Sequence, residues 1–198
     1  MTVSTNQSKQ TLNMTLKNFR KGGSRERIQY GLGECSLGSV LVAVSEKGIC
    51  AISLGDTPDQ LVNALRNQFP RADLVEGDQG FEQIMGKLIA FIESPNLGLN
   101  LPLDIRGTAF QQRVWDVMRR IPFGQTISYT DLARQAGASA QSVRAVATAC
   151  AANKIAVAIP CHRVVRLSGN LSGYRWGVER KKALLQRERV GSRGPEGS

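Results

Sequence analysis

The adjacent residues at positions 161 and 162 are the most chemically suggestive pair in the chain. Cys161 is followed directly by His162, the single histidine of the sequence. A thiolate is the nucleophile in cysteine chemistry, and an imidazole can accept the thiol proton. In an extended segment neighbouring side chains point to opposite faces, so a link between the two requires a turn or a bridging water. The flanking Arg163 and Arg166 are expected to favour the thiolate. A structural role for Cys161 is the alternative, because free cysteines are usually simply buried.

Two further polar residues bear on this pair. Asn153 follows a predicted helix, where asparagine commonly serves as a C-terminal cap. Glu188 comes three and four residues after Leu185 and Leu184, which are predicted to be buried, so its carboxylate leans toward the core. An inward carboxylate needs a partner, and pairing with His162 would orient the imidazole and keep it basic. Basic residues of the same helix are expected to cover its other faces: Lys181, Lys182 and Arg187.

The second half of the chain carries the capping signals of several helices. Thr108 and Gln111 form a capping box, and Pro122 stops the helix that they begin. Ser128 begins a second helix, and Ser139 caps a third after a glycine-containing break. A short helix, a glycine turn and another helix form the helix-turn-helix pattern of many DNA-binding proteins.

The third helix has an unusual composition, because nearly every residue over 145–152 is small. Arg144 lies outside the predicted buried face, with Gln141 and Thr148 beside it. A tightly packed core helix with one solvated arginine would look like this. The alternative is a helix lying deep in a nucleic-acid groove, with Arg144 as its protruding side chain. The predicted buried face consists of Val143, Val146, Ala147 and Cys150.

The excess positive charge is confined to the second half of the chain. The net charge is +10, yet residues 1–105 hold 10 basic and 11 acidic residues, whereas residues 106–190 hold 15 basic and 4 acidic residues. A generic basic surface is one explanation. Together with a helix-turn-helix, the charge favours an electrostatic footprint for nucleic acid.

The first half is predicted to fold as an α+β module. Alternating apolar residues indicate strands over 28–35 and 39–54, interrupted at Gly48, which gives an antiparallel meander. Two helices follow, one capped by Thr57 and one over 79–94. Their buried stripes are expected to consist of Leu61, Leu65, Phe69, Phe81, Ile84, Leu88 and Phe91.

Composition and spacing divide the chain into five parts. Residues 1–27 form a polar arm, for which a mitochondrial transit peptide is an alternative reading. A domain over 28–94 is joined by a linker over 95–107 to a second domain over 108–190, and residues 191–198 form a disordered tail. The chain has no apolar run long enough to cross a bilayer. With one histidine and four scattered cysteines, no metal site, disulfide framework or cofactor is expected, and a reducing compartment fits best.

The run Ile-Pro-Cys-His-Arg-Val-Val at 159–165 resembles the active-site signature of the O6-alkylguanine–DNA alkyltransferases. The likeness covers roughly residues 28–190 and is greatest to the C-terminal half of the bacterial adaptive-response members. One departure is Trp176, where many relatives have glycine. Further segments follow the order of the family: 110–115, 127–129, 143–147, 150–154 and 171–178.

The resemblance implies a fold class and an activity. The fold would be α+β, with a small ribonuclease-H-like antiparallel-sheet domain and a helical domain carrying a winged-helix type of helix-turn-helix. The protein would repair O6-alkylguanine, and O4-alkylthymine, in double-stranded DNA by one irreversible transfer to Cys161. His162, through a water, would take the thiol proton, Glu188 would orient His162, and Asn153 would brace the turn. Tyr129 would help to rotate the nucleotide and would protonate the leaving guanine.

The resemblance also implies a DNA-binding surface and a guanine pocket. The helix from Ser139 would enter the minor groove, with Arg144 filling the place that the flipped nucleotide leaves. The other residues of the surface are Gln141, Ala145 and Thr148. The pocket residues are the carbonyl of Val164, the ring of Tyr174, the backbone of Arg175, and Trp176.

Two other functions compete with this interpretation. A DNA-binding regulator or damage marker would use the same helices without chemistry, and a Cys–His–Glu hydrolase would use the same three side chains without DNA. The protein is expected to act as a monomer with no membrane partner. It would reside in the cytoplasm or nucleoid if bacterial and in the nucleus if eukaryotic.

Overall fold

The computed structural model describes residues 26–171 and 173–192, and these form two compact units. The first unit runs to Glu93 and includes Leu97–Ile105, and the second contains Ser94–Asn96 and the described residues from Arg106 onward. The predicted arm, apart from its last two residues, and residues 193–198 of the predicted tail lie outside the described residues. No helix in the described ranges is long and apolar enough to cross a membrane.

The first unit is built on a four-stranded sheet with the order β3-β2-β1-β4. Strands β1 (Arg27–Cys35), β2 (Gly38–Ser45) and β3 (Gly48–Gly55) form the predicted antiparallel meander. The short strand β4 (Asp73–Glu76) lies parallel to β1 and was not predicted. Its four residues begin and end with a carboxylate, so they carry no strand-like apolar pattern.

Two helices pack on this sheet. Helix α1 (Pro58–Gln68) is capped by the Thr57 side chain, and helix α2 spans Gln79–Glu93, both as predicted. Glycine in β1 allows α2 to approach closely, since a Cβ atom at Gly31 would lie 2.7 Å from the ring of Phe81. The first unit is therefore a closely packed α+β support.

The second unit consists mainly of helices. Thr108 and Gln111 form the predicted capping box of α3 (Ala109–Arg120), and Ser128 caps α4 (Tyr129–Gln135). Helix α5 (Val143–Ala151) is tied to α3 because the indole N–H of Trp115 donates to the carbonyl of Ala149 at 2.9 Å. Helix α6 (Val178–Ser192) extends two residues into the predicted tail.

The turn between α4 and α5 contains the predicted glycine, but α5 does not begin where it was predicted to begin. Gly137 adopts a φ of 69°, the left-handed conformation that glycine tolerates well. Ser139 does not cap α5: a short 3-10 turn, Ala140–Ser142, comes first, and the Ser139 hydroxyl hydrogen-bonds the Ser142 hydroxyl instead. Helix α5 therefore begins three residues later than the capping signal indicates.

Two short parallel strands bring distant parts of the second unit together. Strand β5 (Ile127–Ser128) pairs with β6 (Val164–Val165), with Ile127 opposite Val164 and Ser128 opposite Val165. This pairing places the start of α4 beside the segment that follows Cys161.

Candidate active site

The turn that carries Cys161 is held by one buried amide. Asn153 is fully buried and lies beyond the C-terminal cap of α5, so it is not the helix cap. Its Nδ2 donates to the Ile159 carbonyl at 2.9 Å and to Cys161 Sγ at 3.4 Å, while its Oδ1 accepts from the Ile155 N–H at 2.9 Å. The amide thus fixes both the backbone of the turn and the thiol. Within the turn Val157 adopts a φ of 59°, which is rare for a β-branched residue.

The Cys161 thiol is protonated in the resting protein. Burial raises its pKa to about 11, although the Asn153 hydrogen bond and the charges of Lys181 and Arg175 oppose the increase. The predicted help from Arg163 is not what the structure shows, because that guanidinium points to Glu188. A base must therefore remove the thiol proton before Cys161 can attack.

His162 is placed to be that base. Its Nε2 and Glu188 Oε1 are 2.8 Å apart, and both side chains are almost completely buried. Burial lowers the pKa of His162, despite the opposing effect of Glu188, so the ring is neutral at physiological pH. Because the carboxylate accepts from Nε2, the other nitrogen is the free base. Nδ1 is buried and has no hydrogen-bond partner among the described residues.

Arg163 is a second partner of Glu188, a role that was not predicted from the sequence. Its Nε donates to both carboxylate oxygens, at 3.1 and 2.9 Å, and its Nη2 donates to Oε1 at 2.9 Å. Its Nη1 donates to the Ile121 carbonyl at 2.6 Å, and the Gly124 N–H donates to Glu188 Oε2. Burial alone would raise the pKa of Glu188, but its bonds to His162 and Arg163 lower the pKa to about 2. The carboxylate thus remains ionised.

Lys181 was predicted to cover a solvent face of α6, and this prediction is wrong. The side chain is fully buried, and its Nζ donates to the Val164 carbonyl at 2.6 Å. Burial lowers the pKa of Lys181, while Cys161 and Cys150 raise it. The sequence carried the signal, because positions 181, 184, 185 and 188 share the spacing of one helix face.

A cavity of about 700 Å³ lies beside these groups. Four of the predicted site residues line it: Tyr129, Arg144, Tyr174 and Arg175. Cys161 is not among its lining residues, but the ring of Tyr174 meets His162 edge-on, with ring centroids 6.5 Å apart. Tyr174 Oη is buried without a hydrogen-bond partner in the described ranges.

The remaining predicted pocket and surface residues take different positions. Val164 and Trp176 do not line the cavity. Trp176 is buried rather than turned outward, and its ring packs edge-on against Tyr174 at 5.3 Å. Of the predicted buried face of α5, Val146 and Cys150 are buried, whereas Val143 and Ala147 line the cavity. Three predicted DNA-binding residues are exposed: Gln141, Ala145 and Thr148.

The described residues contain no group of three His, Cys, Asp or Glu side chains that could hold a metal ion. A neutral imidazole, oriented by a carboxylate, belongs to the residue that follows the protonated thiol in the chain, and two tyrosines and several arginines line a cavity nearby. This arrangement can deprotonate the thiol and supply a proton to a leaving group.

Two domain models of one protein family match successive parts of the chain. The ribonuclease-like domain of 6-O-methylguanine DNA methyltransferase matches residues 28–105, and the DNA binding domain of the same family matches residues 109–190. The chain is 55% identical over 179 residues to the bifunctional transcriptional activator/DNA repair enzyme Ada of Escherichia coli, covering 90% of this chain and 50% of that protein. It thus spans about half the length of that relative.

Two further relatives align with this chain over most of the length of each protein. The inducible methylated-DNA–protein-cysteine methyltransferase of Bacillus subtilis is 36% identical, with 76% of this chain and 84% of that protein covered. The crystal structure of Mycobacterium tuberculosis OGT in complex with DNA superposes with a TM-score of 0.70 at 32% identity, covering 82% of this chain and 94% of that one. The matches to both domains and the extent of these alignments show that the chain belongs to the 6-O-methylguanine DNA methyltransferase family.

Proposed function

We propose that the protein repairs double-stranded DNA by transferring an alkyl group from O6 of guanine, and from O4 of thymine, to Cys161. The observation that carries the proposal is the buried His162–Glu188 pair: the ring is neutral, its Nδ1 has no hydrogen-bond partner among the described residues, and it directly follows Cys161 in the chain. The names of the relatives and the DNA-bound structure of the Mycobacterium tuberculosis protein support the same substrate.

The transfer is a displacement at the alkyl carbon. His162 takes the thiol proton through a water, and Glu188 holds the ring in place and favours its protonated form. The bond from Cys161 Sγ to carbon forms while the carbon–O6 bond breaks, and the electron pair goes to guanine. Tyr129 supplies a proton to the departing base. The thioether product has no easy leaving group, so each molecule reacts once, without a cofactor.

The target atom lies at a base edge, so the nucleotide must leave the stack. Flipping costs a few kcal/mol, and less for a mispaired base. We place α5 in the minor groove, where its small residues allow close approach, and Arg144 in the vacated position. Gln141, Ala145 and Thr148 lie on the same exposed surface. The base then enters the cavity that Tyr129 and Tyr174 line.

One hydrogen bond in the structure bears on the proposed guanine pocket. The Val164 carbonyl, expected to face the base, already accepts from Lys181, and its second lone pair can accept from an exocyclic amine. Arg175, whose backbone we expect to contact the base, is among the residues that line the cavity. We propose the cytoplasm or nucleoid as the location in a bacterium and the nucleus in a eukaryote, with the protein acting as a monomer.

One experiment separates the proposed function from its competitors. The protein is incubated with duplex DNA that carries O6-methylguanine with a labelled methyl group, and its intact mass and peptide map are recorded. Transfer of the label to Cys161 supports repair. Binding without transfer would instead support a DNA-binding regulator or damage marker. Neither binding nor transfer would contradict both and would favour the Cys–His–Glu hydrolase.

Arg144→Ala should lose repair of duplex DNA while reaction with free O6-methylguanine remains, because only a duplex requires a nucleotide held out of the stack. We expect a loss of about tenfold or more on the duplex, since removing a large side chain leaves the flipped state less populated. Single-turnover rates on the two substrates measure this difference.

Arg134→Ala is the matched control for Arg144, because Arg134 is exposed, pairs with Asp131 and does not line the cavity. Its rates should stay close to those of the parent on both substrates. Equal losses of Arg144→Ala on duplex and free base would show that Arg144 serves the pocket or the fold instead.

Trp176→Gly should increase the rate with O6-benzylguanine relative to the rate with O6-methylguanine by about tenfold, because differences in pocket size discriminate substrates at this level. The indole is buried against Tyr174, so its removal gives that ring room to move away from the cavity. The ratio of the two single-turnover rates is the measurement.

Trp176→Phe, which keeps an aromatic ring at this position, should change the benzyl-to-methyl ratio less. Thermal unfolding must accompany the test, because emptying a buried tryptophan site costs about 3–5 kcal/mol. A folded Trp176→Gly protein with the parental ratio would show that Trp176 does not limit the pocket.

A further inference from the structure

Tyr129 and Arg166 occupy matching positions at the ends of two paired strands. Strands β5 and β6 are parallel, and Ser128 is opposite Val165 in their last registered pair. The residue that follows β5 is therefore Tyr129, and the residue that follows β6 is Arg166. Both side chains line the cavity of about 700 Å³. The fold thus places the exposed Arg166 on the same cavity as Tyr129, the tyrosine that the proposed reaction needs.

The surroundings of Tyr129 disfavour its ionised form, and Arg166 is the cation that opposes this effect. Burial, together with Cys150 from α5 and Cys161 from the active-site turn, raises the pKa of Tyr129 to about 12, whereas Arg166 opposes the increase. A phenol with such a pKa leaves an unfavourable tyrosinate when it gives up its proton. A guanidinium remains charged throughout the physiological pH range, so it can offset that negative charge.

We propose that Arg166 is a positioning residue that stabilises Tyr129 as tyrosinate while Tyr129 gives its proton to the departing guanine. The proposal rests on the transfer function proposed above. As the carbon–O6 bond breaks, its electron pair goes to guanine. Guanine also receives a proton from Tyr129 Oη. The tyrosinate stays beside Arg166 until solvent returns a proton. Arg166 itself forms and breaks no covalent bond.

The test uses free O6-methylguanine, which has no phosphate, so a lost phosphate contact cannot reduce the rate. Single-turnover rates are compared for the parent, Arg166→Gln, Arg166→Lys, Tyr129→Phe and the double variant Tyr129→Phe/Arg166→Gln. We expect Arg166→Gln to be about three- to tenfold slower, since an increase in the pKa of the proton donor is only partly expressed in the rate of proton transfer. Arg166→Lys should retain most of the rate, and Arg166→Gln should add nothing in the Tyr129→Phe background.

Two further measurements exclude a merely structural effect. Alkylation of Cys161 by iodoacetamide needs no protonated leaving group, so its rate should be equal in the parent and Arg166→Gln. The ultraviolet titration of Tyr129, taken as the difference from Tyr129→Phe, should shift to higher pH in Arg166→Gln. Arg119→Gln removes an exposed charge on α3 and should change none of these values.

Several outcomes overturn the proposal while leaving the transfer function intact. These are a parental rate of Arg166→Gln on the free base, an equal loss in the Tyr129→Phe background, and an unchanged titration of Tyr129. A parallel loss in iodoacetamide reactivity would also overturn it. If the parent protein transfers no methyl group from either duplex or free base, the proposed function fails and the proposal fails with it.

Discussion

Cys161→Ser should abolish alkyl transfer and leave DNA binding and the fold intact. A hydroxyl is not appreciably ionised near neutral pH. The base of the proposed mechanism, His162, can deprotonate a thiol but not the much less acidic hydroxyl of serine. The serine hydroxyl can still accept from the Asn153 amide, so the hydrogen bonds that hold the turn are retained. Transfer of a labelled methyl group from duplex DNA measures the first effect, and electrophoretic mobility shift measures the second.

The other cysteines provide the control for Cys161. Each can be replaced by alanine or serine, and transfer should persist: Cys35, Cys50 and Cys150. Cys150 is the most demanding case, because its buried thiol lies against Met118 and near the active site. A label that maps to any of these three residues would remove Cys161 from the mechanism.

The catalytic pair could be predicted from sequence because its signals are local. Cys161 and His162 are adjacent, and the spacing of Glu188 from two leucines predicted an inward carboxylate, which the structure confirms. The capping residues of α1, α3 and α4 were predicted for the same reason, since a cap involves atoms only three residues apart.

The charged residues around Cys161 and His162 were not predicted, because their positions depend on contacts between residues distant in sequence. Arg163 reaches Glu188 across 25 residues of sequence, and Lys181 reaches Val164 across 17. Charged side chains are rarely fully buried, so we expected Lys181 to cover an outer face of its helix and Arg163 to lie near the Cys161 thiol. Strand β4 was missed similarly, because its pairing with β1 carries no local apolar pattern. These residues become visible only when the fold supplies their partners.

Glu188→Gln should destabilise the protein by about 3–5 kcal/mol at neutral pH and slow the transfer strongly. The substitution leaves the buried guanidinium of Arg163 without its charged partner, and breaking one side of a buried pair has this cost. It also removes the carboxylate that orients His162, whose Nε2 lies 2.8 Å from Oε1. Urea unfolding and single-turnover rates are the measurements. Glu179→Gln, on the exposed side of α6, should change both little.

The stability difference between the parent and Glu188→Gln should also depend on pH. The folded pKa of Glu188 is lowered from about 4.5 to about 2, so its contribution is complete above pH 4.5 and is lost as the pH falls through 2. A shift of this size corresponds to about 3 kcal/mol. Below pH 4.5 the parent should therefore lose stability relative to the variant until the two converge. A difference that stays constant from pH 7 to pH 2 would show that the ionised carboxylate is not what stabilises Arg163 and His162, and the charge-pair account of the site would have to be abandoned.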